Sequence, residues 1–337
     1  MKLDTAFAPT SLSDVPALAK AAEEIGFAAL WTAETSHDPY LPLPMVAEHT
    51  DRIEFGTSIA VAFPRSPLVH AQIAWDLAAQ SNGRFVLGLG TQVKGHNERR
   101  FGLKWEAPGP RLREMILCIR AIWDCWQNGT KPRFEGEHYR FTLMTPFFSP
   151  GPIAHPNVPI WIAGVNTYMC ELAGELCEGF HVHPFHSIRY LRESLLPEIG
   201  RGLAKAGRPR GDITLSTSAF VIAGDTDEEI ARARDAVRLQ IAFYASTRTY
   251  ARVLETHGWG ETSARLNEKS AKGDWAGMAS EITDEMLEVY AVTARWDDVA
   301  AKVKARYDGI LDRLALYLPF RPDADGDRWR HIVRAFV

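Results

Sequence analysis

The chain has 337 residues, of which 46% are apolar and 24% charged, with a net charge of -4 at neutral pH. That size supports a large buried core, as one α/β barrel or as two smaller domains. The slight acidic balance argues against nucleic acid as the main partner, and no apolar run is long enough to span a bilayer.

Strand-like and helix-like segments alternate in chain order. Met1 leads straight into a strand at 3–7, so no signal peptide is expected. A helix capped at Ser13 then runs to Ile25, where Gly26 stops it. Strands follow at 27–32, 53–60 and 85–89, with helices at 43–49, 67–80 and 111–126 between and after them. The strand Phe85-Val86-Leu87-Gly88-Leu89 is too apolar to have a solvent face, as in parallel sheets. It ends in the Gly-rich, polar run Gly90-Thr91-Gln92-Val93-Lys94, which is either a ligand-facing loop or a plain connection.

Regularity breaks at 128–157, where a hairpin at 134–141 precedes a connector with Pro146, Pro150, Pro152 and Pro156. Alternation then resumes with strands at 159–163, 179–182 and 213–223 and helices at 168–176, 188–206 and 226–244. A second irregular region, 245–285, is expected to form short helices that cover one end of the fold; it is followed by a helix at 296–307, a last strand at 313–318 and a terminal helix at 324–336. Eight strands alternating with helices predict a (β/α)8 barrel as one domain over 1–337, with insertions after strands four and seven. A doubly wound open sheet is the alternative. Cys118/Cys125 and Cys170/Cys177 each lie seven apart in a helical pattern, about 10 Å apart on one face. That spacing excludes a disulfide within either pair and suits buried thiols in a reducing cytoplasm.

In a barrel, the loops after the strands face the catalytic mouth. After strand two, Glu34, His37 and Asp38 offer two carboxylates and an imidazole for proton transfer, or a cap-and-turn cluster. Arg65, after strand three, suits an anion or shapes a turn with Pro64 and Pro67. Gln92, Lys94, His96, Asn97 and Glu98 crowd the loop after strand four. Gly164, Val165, Asn166 and Thr167 precede a helix, where free backbone N–H groups suit a phosphate or the Asn/Thr simply caps. His181 and His183 point to opposite faces of strand six, and with His186 they have no third partner at metal-ligand spacing, so no metal is expected.

Taken together, these segments resemble the luciferase-like superfamily of flavin and deazaflavin barrels. The residues carrying the resemblance are Glu24-x-Gly26-Phe27-x-x-x-Trp31-Thr32-x-Glu34, Gly56-Thr57-Ser58-Ile59 with Pro64-Arg65-Ser66-Pro67, and Ser81-Asn82-Gly83-Arg84-Phe85-x-Leu87-Gly88-x-Gly90. Pro159-Ile160-Trp161-Ile162-Ala163-Gly164 and Glu178-Gly179-Phe180 complete the set, which is most similar to the members that use coenzyme F420. The resemblance implies a non-proline cis peptide at Ser58–Ile59, forming a bulge that backs the deazaflavin ring. It also implies a cofactor phosphate on Gly164, Val165, Asn166 and Thr167, and His183 lining the cofactor cleft, with Thr91, Gln92 and Lys94 near the cofactor tail. Sugar-phosphate dehydrogenases of this family carry an Asp-His pair where this chain has Glu34-Thr35, and a Glu where it has Gln92-Val93-Lys94. The proton role therefore falls to Glu34, His37 or His96. The expected activity is F420-dependent hydride transfer to or from a small organic substrate, by a homodimer. An FMN-dependent monooxygenase and a non-catalytic flavin-binding homologue are the alternatives.

Overall fold

The computed structural model describes residues 1–7 and 11–336. Eight parallel strands form the barrel: β1 (Lys2–Ala6), β2 (Ala29–Thr32), β3 (Glu54–Thr57), β4 (Phe85–Gly90), β5 (Ile160–Ala163), β6 (Gly179–Val182), β7 (Thr214–Gly224) and β8 (Arg313–Leu316). Each pairs with the next, and β8 pairs with β1 through Lys2 opposite Arg313, which closes the ring. The expected barrel is thus the observed one, and the open sheet is excluded. No helix among the described residues is long and apolar enough to cross a membrane.

β4 is buried from Phe85 to Gly90, and its glycines lie inside the strand, not in a loop. A Cβ on Gly88 would sit 1.7 Å from the Thr57 carbonyl oxygen, and one on Gly90 would sit 2.8 Å from the Ile59 side chain. Both glycines therefore admit the end of β3. That end is broken: the strand expected to run unbroken over 53–60 stops at Thr57, and only Ala60–Val61 pairs again, with β4. Between them the Ser58–Ile59 peptide is cis. The β3 end is therefore a bulge fitted against a side-chain-free stretch of β4.

The base of the barrel holds a buried charge network. Arg313 forks onto Asp4 at 2.8 and 2.9 Å and also bonds Glu54, while the Trp31 indole N–H donates to Asp4 at 3.0 Å. Pairing of this kind is what permits a guanidinium inside the barrel.

Two further features depart from expectation. β7 continues beyond the barrel, where Phe220–Gly224 pair with a strand at Ala291–Arg295 that was not expected. The preceding region holds the short helices expected of it: Ala251–Glu255, Gly260–Lys272, Trp275–Ala279 and Asp284–Tyr290. Cys177 is extended, just past the helix Thr167–Leu176, so it does not share a helical face with Cys170; all four cysteines are free and buried.

Candidate active site

The loop after β2 is joined to the β3 bulge by an ion-pair network. The Glu34 amide donates to the Ile59 carbonyl at 3.1 Å, and its Oε2 accepts the Val61 amide at 2.7 Å. Arg65 forks onto the same carboxylate at 2.9 and 3.2 Å and reaches Asp38 at 2.6 Å. The guanidinium lies 5.3 Å from the centre of the Tyr40 ring. The Tyr40 hydroxyl is 2.8 Å from His70 Nδ1, and His70 Nε2 is 2.9 Å from the Ala62 carbonyl. A carbonyl only accepts, so His70 carries its proton on Nε2 and accepts from Tyr40. Burial pushes His70 down to about 4, which keeps it neutral.

Beyond β4, Gln92 takes a positive φ of 58° and its side chain accepts the Val93 amide at 3.0 Å. Buried Asn97 donates to the Thr91 and Val93 carbonyls at 2.9 and 3.1 Å, which pins the turn from within. Lys94 is exposed and pairs loosely with Glu98 at 3.8 Å. Beyond β5, Asn166 caps the helix Thr167–Leu176 by accepting the Met169 amide at 2.9 Å. Amides in the first turn of a helix have no partner inside it, so those of Thr167 and Tyr168 are available to an anion. Arg252, from the second insertion, adds positive charge there: it donates to Thr167 Oγ1 at 3.2 Å and to Glu198 at 2.7 Å.

An aromatic wall stands across the mouth at the ends of β6, β7 and β8. The His183 ring stacks on Tyr250 at 4.3 Å and meets Tyr244 edge-on at 4.7 Å. The Tyr244 and Tyr317 hydroxyls are 2.6 Å apart, and Phe220 packs on Tyr317 at 5.2 Å. Burial and the neighbouring His186 push His183 down to about 3. Its Nδ1 accepts the Phe185 amide at 3.1 Å, so its proton sits on Nε2. His183 is therefore a neutral donor and not a base.

The structure brings Glu34, Arg65 and Asp38 together with the Ser58–Ile59 bulge. Arg65, read as a possible anion site, already serves two carboxylates. His37 and His96 are exposed, and no hydrogen bond to another described residue engages either imidazole. Sequence reasoning missed Arg252, Tyr244, Tyr250 and Tyr317. Tyr317 directly follows the last barrel strand and could have been found by reading that loop. The other three lie in or beside the second insertion, which no strand register locates. A cleft of about 580 Å³ lined by Arg120, Trp123, Val158 and Glu178 opens at the opposite, N-terminal end of the strands. Barrel chemistry sits at the C-terminal end, so this cleft is not the candidate site.

The family model for the luciferase-like monooxygenase matches residues 3–313. The chain belongs to the luciferase-like monooxygenase family. Within that assignment, an uncharacterized protein of Mycobacterium tuberculosis is 46% identical over 314 residues, covering 93% of this chain and 92% of its own. A 5,10-methylenetetrahydromethanopterin reductase of Archaeoglobus fulgidus is 30% identical over 312 residues, covering 90% and 89% of the two chains. Among solved structures, the coenzyme F420 dependent tetrahydromethanopterin reductase of Methanopyrus kandleri superposes with a TM-score of 0.77 at 20% identity, covering 99% of this chain and 98% of that one. At that identity the superposition shows the shared barrel fold alone.

Proposed function

We propose that this luciferase-like protein is an F420-dependent oxidoreductase that moves a hydride between the deazaflavin C5 and a carbon of a small organic substrate. The observation that carries the reading is the bulge where β3 breaks at Ser58–Ile59 and is held against β4, beside a helix start with available amides after the next strand, β5. Relatives and solved structures whose names record F420 support the same cofactor class.

In this reading Ser58 and Ile59, both half-buried at the mouth, back the deazaflavin ring. Gly164, Val165, Asn166 and Thr167 hold the cofactor phosphate on backbone amides, with Arg252 beside them. Thr91, Gln92 and Lys94 border the cofactor tail. His183 presents Nε2–H as a neutral donor to a carbonyl oxygen or ring nitrogen. His37 carries the accompanying proton, with His96 as the second candidate, because both imidazoles are exposed and uncommitted. The cofactor, when bound, supplies the redox chemistry, and the protein supplies orientation and proton handling. The homodimer and the cytoplasmic location belong to the same proposal.

A substrate screen tests it. The protein is incubated with reduced F420 and a panel of cyclic imines and enones, and with oxidised F420 and secondary alcohols, while the deazaflavin absorbance is followed. Turnover with any member supports the reading. Oxygen-dependent turnover with reduced FMN, and none with F420, would replace it with the monooxygenase.

A further inference from the structure

We infer that Glu34, Arg65 and Asp38 act as one clamp that fixes the backbone of residues 58–62 in the shape on which the cofactor ring lies, making Glu34 a positioning residue and not the proton carrier. The inference deepens the function proposed above and rests on it for the identity of the ring.

Where β3 breaks, groups outside the strand take over its backbone polar atoms. The Ile59 carbonyl is held by the Glu34 amide, the Val61 amide by the Glu34 carboxylate, and the Ala62 carbonyl by His70. Arg65 adds a longer contact to the Val61 carbonyl at 3.4 Å, and the Ala62 amide returns to the ladder through Gly90 at 2.9 Å. Three of these holds come from the loop after β2 or its ion pair. Without them a short, register-free segment would have no fixed path.

The same contacts leave Glu34 little capacity for proton transfer. Oε2 accepts from Val61 and Arg65, and Oε1 accepts from Arg65. Taking up a proton would break a forked guanidinium–carboxylate pair, a strong and directional arrangement. The pair is also sheltered: the Glu34 and Arg65 side chains are 7% and 16% exposed, so solvent does not screen it as it does a surface pair. On its far side the clamp is buttressed by the Tyr40 ring beneath Arg65 and by the Tyr40–His70 hydrogen bond. Toward the mouth, Ser58 and Ile59 keep partial exposure while Thr57 and Ala60 are buried. The clamp therefore grips the bulge from behind and leaves its face open.

The test is equilibrium binding of oxidised F420, read by fluorescence quenching and by the induced circular dichroism of the bound ring. The set is the full-length wild type, Glu34→Gln, Arg65→Gln, the double variant and Arg65→Lys. We expect each single Gln variant to raise the Kd roughly tenfold and to change the induced dichroism, with the double variant no worse than either single. Arg65→Lys, which keeps the charge but loses the fork, should fall between wild type and Arg65→Gln. Far-UV dichroism and urea midpoints identify any variant that does not fold, in which case Arg65→Lys carries the comparison. Wild-type affinity and dichroism in Glu34→Gln or Arg65→Gln would overturn the clamp while leaving the cofactor assignment standing. Failure of the wild type itself to bind F420 would overturn the assignment and the clamp with it.

Discussion

Gly88 shows how much one residue decides in this fold. The Thr57 carbonyl occupies the space a Cβ would need, at 1.7 Å, and both partners are backbone, so neither can swing away. Gly88→Ala should cost at least about 3 kcal/mol. Gly200 is the counter-case: it sits exposed in the helix Leu196–Ala206 with nothing within 4 Å of the added methyl. Gly200→Ala should stabilise by about 0.5–1 kcal/mol through helix propensity and a less flexible unfolded chain. Urea midpoints of the two variants check both signs, and equal midpoints would contradict the packing described for β4. The sequence placed Glu34, His37, Asp38 and Arg65 near the right strand ends, because strand ends are visible as the limits of apolar runs. It did not reveal that Arg65 neutralises Glu34 and Asp38, since that pairing joins two neighbouring loops that lie about 30 residues apart in sequence. Nor did it distinguish His183 as donor from His183 as base, because the Phe185 amide that sets its tautomer is a tertiary detail.

At the scale of elements, barrel strands such as β4 and β5 were legible because each is a short apolar run bounded by polar or glycine residues. The strand at Ala291–Arg295 was not, because it pairs only with the part of β7 that has left the barrel. The first insertion shows how an irregular segment is secured. Its hairpin, Phe134–Glu135 paired with Arg140–Phe141, is held by Glu114, whose carboxylate accepts the amides of Glu137, His138 and Tyr139 at 2.9, 2.8 and 3.2 Å. Those three bonds hold Glu114 below the usual glutamate range despite the opposing effect of burial. They also account for the approach of Glu114, Glu137 and His138 to one another without invoking a metal. Glu114→Ala should speed hydrogen exchange at these three amides while lowering the global unfolding free energy by only about 1–2 kcal/mol. Unchanged exchange at 137–139 would show that the hairpin is held by something else.

For the whole molecule, stability should depend on pH through its buried histidines. Burial is the main cause that pushes His70 and His186 down to about 4 and His181 and His183 down to about 3. Each stays neutral in the folded state, while its unfolded counterpart takes up a proton near pH 6.5. The unfolded state thus binds more protons between pH 6.5 and 4, and stability is lost as pH falls through that window. The slope is about 1 kcal/mol per pH unit for each histidine. Urea midpoints should therefore fall clearly from pH 7 to pH 5, above the range where the paired carboxylates titrate. A flat profile across that interval would contradict the neutral assignments, including the donor role given to His183.

The central claim is that the mouth built from the β3 bulge, the helix start after β5 and the aromatic wall receives a deazaflavin. The most direct test is a parallel fluorescence titration of the purified wild-type protein with F420 and with FMN. The account predicts saturable F420 binding at micromolar concentration or tighter, with FMN bound at least about tenfold more weakly, a difference of roughly 1.4 kcal/mol. Preference for FMN, or no binding of either, would contradict it.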